Sequence, residues 1–328
     1  MKPTVTVTDI FPEVALDKLR SRVEVLYNDS GSPLSPLELS EYAKKSQALI
    51  CYLTDKIDAS VIDVGGEHLK IIANFGAGYN NIDVAHAMKR NILVSNTPGV
   101  LHETTADLTW AMMLGIARRL VESDRFTRRH LFQGWKADLF LGGDVYGKTL
   151  GVIGCGEIGR AVARRALGFD MTVLYHQRHR LPENEEKRLN ARFVSLQELL
   201  EASDFVTLHV PLTEETHHMI GADELSMMKP TAYLIHAARG KVVDDQALLE
   251  ALTQKVIAGA ALDVYENEPA LTDGLDELGN IILLPHIGSA SVETRETMAL
   301  LVVDNVFDAL DGNKPRSLVP GWVNNGNA

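Results

Sequence analysis

The stretch KTLGVIGCGEIG (148–159) decides the fold. Lys148 to Ile153 is a short β-type apolar run. Gly154-Cys155-Gly156-Glu157-Ile158-Gly159 then forms a GxGxxG and opens the helical pattern EIGRAVARRALG, in which Ile158, Ala161, Val162 and Ala166 share one face. A GxGxxG alone is short and common, but between a strand and a helix it reads as a dinucleotide site. Gly154 permits the tight turn, Gly156 lets the backbone approach a pyrophosphate, and Gly159 lets helix and strand pack closely. The helix N-terminus, at Glu157 and Ile158, faces the anion.

Short β-type runs extend in both directions from this point. Upstream they are TVTVTD (4–9), RVEVLY (22–27), QALICYL (47–53), LKIIANFGAG (69–78) and NILVSNT (91–97). Downstream they are MTVLYH (171–176), DFVTLHV (204–210), TAYLIHA (231–237), VIAGAALD (256–263) and NIILLPH (280–286). Helical stretches separate them, so both series read as βαβ units and the fold class is α/β with two doubly wound parallel sheets. Between the series, ETTADLTWAMMLGIARRLVESDRFTRRHLF (103–132) reads as one long helix, almost wholly apolar in its first half. Such a helix is buried on more than one side, either in the core of one domain or against a second body. A further helix is expected over 292–312.

A chain of 328 residues is long enough for two domains, and 45% hydrophobic with 23% charged residues is a globular composition. There is no apolar run of membrane-spanning length and no signal-peptide pattern, so the expected compartment is the cytoplasm, with no membrane partner. Cys51 and Cys155 are too few for a disulfide framework. A formal net charge of -12 argues against nucleic acid as partner.

Against that acidity, the run after the second strand of the downstream series stands out: His176, Gln177, Arg178, His179, Arg180. About 20 residues after a GxGxxG, an NAD site places a carboxylate that accepts bonds from the adenosine ribose. Here the first carboxylate is Glu183. Arginines can instead grip a 2′-phosphate through charge-assisted bonds. Gln177, Arg178, His179 and Arg180 are therefore the candidate phosphate pocket, and the expected cofactor is NADP(H), with NAD(H) as the alternative if the run simply faces water.

Three isolated polar residues stand where later strands end: Arg239 in LIHAARGKVVDD, Glu268 in ALDVYENEPALTD and His286 in IILLPHIGSAS. In an open α/β sheet the ligand lies beyond the carboxyl ends of the strands. Each has a plainer reading, as a surface ion pair, a loop carboxylate and a core histidine. No His, Cys or carboxylate set has zinc spacing; His176 with His179 and the pair His217-His218 lack convergent ligands, so no metal site is expected.

In order and context these segments, with NFGAGYNNID (74–83), NTPGVLHETTAD (96–107), HVPLTEETHHMIG (209–221) and LPHIGSA (284–290), resemble the D-isomer-specific 2-hydroxyacid dehydrogenases, and within them the glyoxylate/hydroxypyruvate reductase branch, which includes 2-ketogluconate reductases. The resemblance covers nearly the whole chain. It implies a Rossmann NAD(P)-binding domain (99–286) inserted into a flavodoxin-like substrate domain (1–98 and 287–328). By the same resemblance Arg239, Glu268 and His286 are catalytic, and the backbone around Ala77 and Gly78 receives the substrate carboxylate. Asp263 meets the nicotinamide carboxamide, Thr105 lies near the nicotinamide or its phosphate, Pro211 lies beside the adenine, and Ala237 and Ala238 belong to the cofactor-binding set. A homodimer is implied, with the helix at 103–132 in its interface.

The residue types suit the chemistry. Reducing a small 2-keto acid to a 2-hydroxy acid needs a hydride at the keto carbon and a proton at its oxygen. His286 can supply the proton, with a neighbouring Glu268 carboxylate favouring its charged form. Arg239 can bind the substrate carboxylate and polarise the keto oxygen. Tyr52, Leu53 and Trp135 are candidates for substrate side-chain contacts. Alternatives are oxidation of another small anion such as phosphite or formate, with Glu268 disfavouring formate, and a dinucleotide-sensing regulatory protein.

Overall fold

The computed structural model describes residues 2–321. It divides into two compact units, one made of the residues up to Leu101 together with those from Ala290 onward, the other of His102–Ser289.

The first unit holds β1 (Thr4–Val7), β2 (Glu24–Tyr27), β3 (Ala48–Cys51), β4 (Ile71–Asn74) and β5 (Leu93–Ser95), all parallel in the order β2-β1-β3-β4-β5. β3 and β4 are buried at every position, as central parallel strands covered on both faces must be. The order reverses between β1 and β3, the switch point of a flavodoxin-like sheet. The helix Val292–Leu310 brings the chain back to pack on β3, β4 and β5.

The second unit holds β6 (Thr149–Ile153), β7 (Thr172–His176), β8 (Ala191–Phe193), β9 (Phe205–Leu208), β10 (Tyr233–His236), β11 (Gly259–Leu262) and β12 (Ile281–Leu283). All are parallel, in the order β12-β11-β10-β9-β6-β7-β8. This is a Rossmann arrangement with its switch point between β6 and β9. β8 has no counterpart among the expected strands: three residues of mixed exposure at a sheet edge carry too little pattern to be read.

The expected single helix over 103–132 is two helices, His102–Ala117 and Leu120–Arg128. Arg119 has φ +53° and ends the first, and Gly143 N donates to Ala117 O at 2.9 Å. A side chain at Gly142 would stand 2.2 Å from that same carbonyl oxygen, so the later segment seals the helix end only because it is glycine. The apolar surface of His102–Ala117 is used mainly by its own unit: the helix packs on β10, β11, β12 and the helix Glu157–Ala166. Trp110 donates Nε1 to Val162 O at 3.1 Å and stacks on Phe169. Among the described residues no helix is long and apolar enough to cross a membrane.

Candidate functional site

The fingerprint glycines occupy three different environments. Gly154 has φ +90°, and a Cβ there would meet the His209 carbonyl carbon and Val210 N at 2.8 Å, so β6 and the loop after β9 approach too closely for a side chain. Gly159 would drive a Cβ to 2.2 Å from Gly154 O. Gly156, the N-cap of the helix Glu157–Ala166, has nothing within 4 Å of such a Cβ. Two glycines are thus required by packing. The third leaves open the cradle at a helix N-terminus that a pyrophosphate would fill, with Glu157 and Ile158 in the first turn.

The loop after β7 is tied to the fingerprint. Gln177 Oε1 accepts from Cys155 N at 3.0 Å, and its Nε2 donates to His179 O at 2.6 Å. Arg178 and His179 are exposed. Arg180 departs from the open fork expected of it: its Nε and Nη2 donate to Glu186 at 2.9 and 2.8 Å. Arg180 first and then Tyr175 pull the Glu186 carboxyl down to about 2.

Arg239, Glu268 and His286 follow β10, β11 and β12 respectively. His286 Nδ1 lies 2.8 Å from Glu268 Oε2, and about a third of each side chain is open to solvent (32% and 34%). Glu268 Oε1 accepts from Tyr265 N at 3.0 Å. Burial pushes the Glu268 carboxyl up, but the hydrogen bond and charge of His286, with Arg239 beyond them, outweigh it and hold the group below the ordinary carboxylate range. The Arg239 guanidinium is turned back on its own backbone, Nη1 donating to Ala238 O at 2.6 Å, and burial lowers its pKa against the charge of Glu268. Gly240 is obligatory beside it: a Cβ there would overlap Tyr265 O at 1.7 Å.

The remaining expected cofactor residues fall in the same unit. Asp263 directly follows β11, and its Oδ1 accepts from Ile287 N at 2.7 Å, so its carboxylate anchors the turn that carries His286; burial raises its pKa. Thr105 is buried in the first turn of His102–Ala117, 3.5 Å from where a Cβ on Gly288 would lie. Pro211 is exposed on the loop after β9, Ala238 is buried and Ala237 partly so.

In the five-stranded unit, Ala77 and Gly78 follow β4. Asn74 Nδ2 donates to Gly78 O at 2.7 Å and to Gly76 O at 3.3 Å, and Asn96 Nδ2 donates to Ala77 O at 2.6 Å. With the carbonyls held this way, the N–H groups of Ala77 and Gly78 donate to no partner among the described residues. Tyr52 donates to Ile10 O at 2.7 Å, Leu53 closes over Gly76, and Trp135, in the other unit, is 86% exposed.

Several contributors have no role assigned by the motif reading. Asn74 and Asn96 brace the Ala77–Gly78 loop, Asn81 donates to Asn74 Oδ1 at 3.3 Å, and Glu186 neutralises Arg180. His236, fully buried at the end of β10, has Nε2 3.0 Å from Arg239 O and 3.4 Å from Gly240 O. Its position three residues before Arg239 was the available signal; the asparagines stand inside the quoted segments 74–83 and 96–107, but nothing in the sequence says which carbonyls they hold.

The family model for the D-isomer specific 2-hydroxyacid dehydrogenase NAD-binding domain matches residues 110–288. A glyoxylate reductase of Thermococcus gammatolerans is 49% identical over 323 residues, spanning 97% of this chain and 96% of the relative. A solved structure from Thermus thermophilus superimposes with TM-score 0.91 at 44% identity, covering 96% of this chain and 99% of that one. An NADPH-dependent glyoxylate/hydroxypyruvate reductase of Sinorhizobium meliloti, solved with NADP and malonate, gives TM-score 0.84 at 31% identity over 98% of this chain and 97% of its own. The chain belongs to the D-isomer specific 2-hydroxyacid dehydrogenase family.

Proposed function

We propose that the enzyme reduces a small 2-keto acid, glyoxylate or hydroxypyruvate, to the D-2-hydroxy acid with NADPH. The observation that carries this reading is the 2.8 Å contact of His286 Nδ1 with Glu268. With Nδ1–H donated to the carboxylate, Nε2 is the ring position left to deliver a proton to the keto oxygen. Arg239 holds the substrate carboxylate and stabilises charge developing on that oxygen. The N–H groups of Ala77 and Gly78 receive the carboxylate in the five-stranded unit, which serves the substrate, while the seven-stranded unit serves the dinucleotide. When bound, reduced nicotinamide supplies the hydride.

Gly154, Gly156, Glu157, Ile158 and Gly159 hold the pyrophosphate, and Thr105, Pro211, Ala237, Ala238 and Asp263 line the rest of the cofactor. Gln177, Arg178 and His179 form the 2′-phosphate pocket; the absence of a carboxylate at the end of β7 supports NADP(H) over NAD(H). The working form is a homodimer, supported by the exposed apolar side chains after the helix His102–Ala117.

Initial rates with glyoxylate and with hydroxypyruvate, each with NADPH and NADH, test the reading. A kcat/KM at least about tenfold higher with NADPH, a difference of about 1.4 kcal/mol, is expected. Equal or better use of NADH removes the phosphate pocket, and no turnover of either acid removes the substrate assignment.

A further inference from the structure

Arg180 and Glu186 form a closed pair beside Arg178. Both carboxylate oxygens are engaged by the guanidinium fork, Nε on Oε1 at 2.9 Å and Nη2 on Oε2 at 2.8 Å. Glu186 is only 7% exposed, and its Oε1 also accepts the Tyr175 hydroxyl at 2.5 Å. Tyr175 is fully buried, and its oxygen takes Leu181 N at 2.8 Å, so the carboxylate sits in a fixed network under the end of the loop. An ordered bidentate pair presents little net charge to a third group, and pulling the arginine away would leave a buried carboxylate uncompensated. Arg178, two residues earlier, is exposed and has no such partner among the described residues; its charge is the smallest of the influences that lower the Glu215 carboxyl.

We propose that Glu186 is a specificity-determining residue for the cofactor: it withholds Arg180 from the 2′-phosphate and offsets its charge, so that preference for NADP(H) rests on Arg178. This builds on the NADPH reading above. Removing the charge of Glu186 while keeping an acceptor for Tyr175 frees Arg180 as a second phosphate ligand. Glu186→Gln therefore raises kcat/KM for NADPH by about three- to tenfold and leaves that for NADH within about twofold, since NADH has no phosphate at this position. Adding Arg180→Gln to Glu186→Gln abolishes the gain.

The test is the NADPH-to-NADH ratio of kcat/KM for the wild type, Glu186→Gln, Arg180→Gln, the double variant and Arg178→Gln. Arg180→Gln alone is expected to keep the wild-type ratio within about twofold, and Arg178→Gln to collapse it. The proposal is overturned if Glu186→Gln leaves the ratio unchanged or lowers it, or if Arg180→Gln alone lowers it more than about fivefold. Should Glu186→Gln fail to fold, the Arg180→Gln result decides alone. A wild type with no NADPH preference, unaltered by Arg178→Gln, overturns the phosphate reading and this proposal together. A wild type that prefers NADPH through both arginines overturns this proposal only.

Discussion

His286 holds φ +55°, a left-handed conformation that a non-glycine residue keeps only when its surroundings enforce it. Asp263 takes Ile287 N on one side, Tyr265 donates its hydroxyl to Leu284 O at 2.6 Å on the other, and Glu268 fixes the ring through Nδ1. The strain thus sits where ring orientation matters for the proposed proton transfer. His286→Ala is expected to lower kcat by roughly 10²–10⁴ while leaving the NADPH dissociation constant nearly unchanged, as removal of a general acid does. Steady-state rates paired with fluorescence titration of the cofactor measure both, and a loss confined to cofactor binding would sink the assignment. Motif context identified Arg239, Glu268 and His286 as candidates. It placed Glu268 beside His286 but did not reveal that Asp263 and Tyr265 hold the His286 turn, because they reach it across a sequence gap that the adjacency of β11 and β12 closes.

At the scale of elements, glycine positions and apolar runs carried the most information. The strand-turn-helix at β6 is legible since Gly154 and Gly159 answer local demands of turn and close packing. The break at Arg119 is not, since the group that seals the helix end comes from Gly142 and Gly143, more than twenty residues later. The same segment explains where the apolar excess went. The helix His102–Ala117 spends most of its face on its own sheet. The exposed large apolar side chains concentrate beyond it, at Leu120, Val121, Leu131, Phe132, Trp135, Leu141 and Tyr146. An array of that kind is normally covered by a partner, and a second copy is the occupant proposed above. Sedimentation equilibrium at micromolar concentration is expected to give a dimer. Phe132→Glu with Trp135→Glu should shift it to monomer, because each buried aromatic is worth a few kcal/mol of apolar transfer and each carboxylate opposes reburial. A monomeric wild type, or a double variant that stays dimeric, would remove the interface from this segment.

At the scale of the whole molecule, two parallel sheets were readable because strands covered on both faces become near-continuous apolar runs. The buried histidine that same β10 run carries could be seen but not interpreted, and it gives the seven-stranded unit a specific acid response. Burial, ahead of every other influence, lowers His236 to about 4, and its Nδ1 has no partner among the described residues. His209, half-buried and bonded through Nε2 to Thr207 Oγ1, is lowered in the same direction to about 3. An unfolded histidine binds its proton near pH 6.5, so between that pH and about 4 the unfolded chain takes up a proton that folded His236 refuses. The stability in question is therefore complete above pH 6.5 and is lost as pH falls toward 4. For His236 alone the loss between pH 7.5 and 5.0 is roughly 2 kcal/mol, and His209 adds to it. Glu186, lowered instead of raised by its partners, contributes only further down, below the ordinary glutamate range near 4.5. Urea unfolding of the seven-stranded unit can be followed by the fluorescence of Trp110, which is buried in its core. The midpoint is expected to fall from pH 7.5 to 5.0 in the wild type, and to fall distinctly less in His236→Asn, which keeps a donor for the Arg239 and Gly240 carbonyls but cannot titrate. Equal midpoints at the two pH values in the wild type, or an unaltered pH dependence in His236→Asn, would show that the buried imidazole does not govern the acid side of the stability curve.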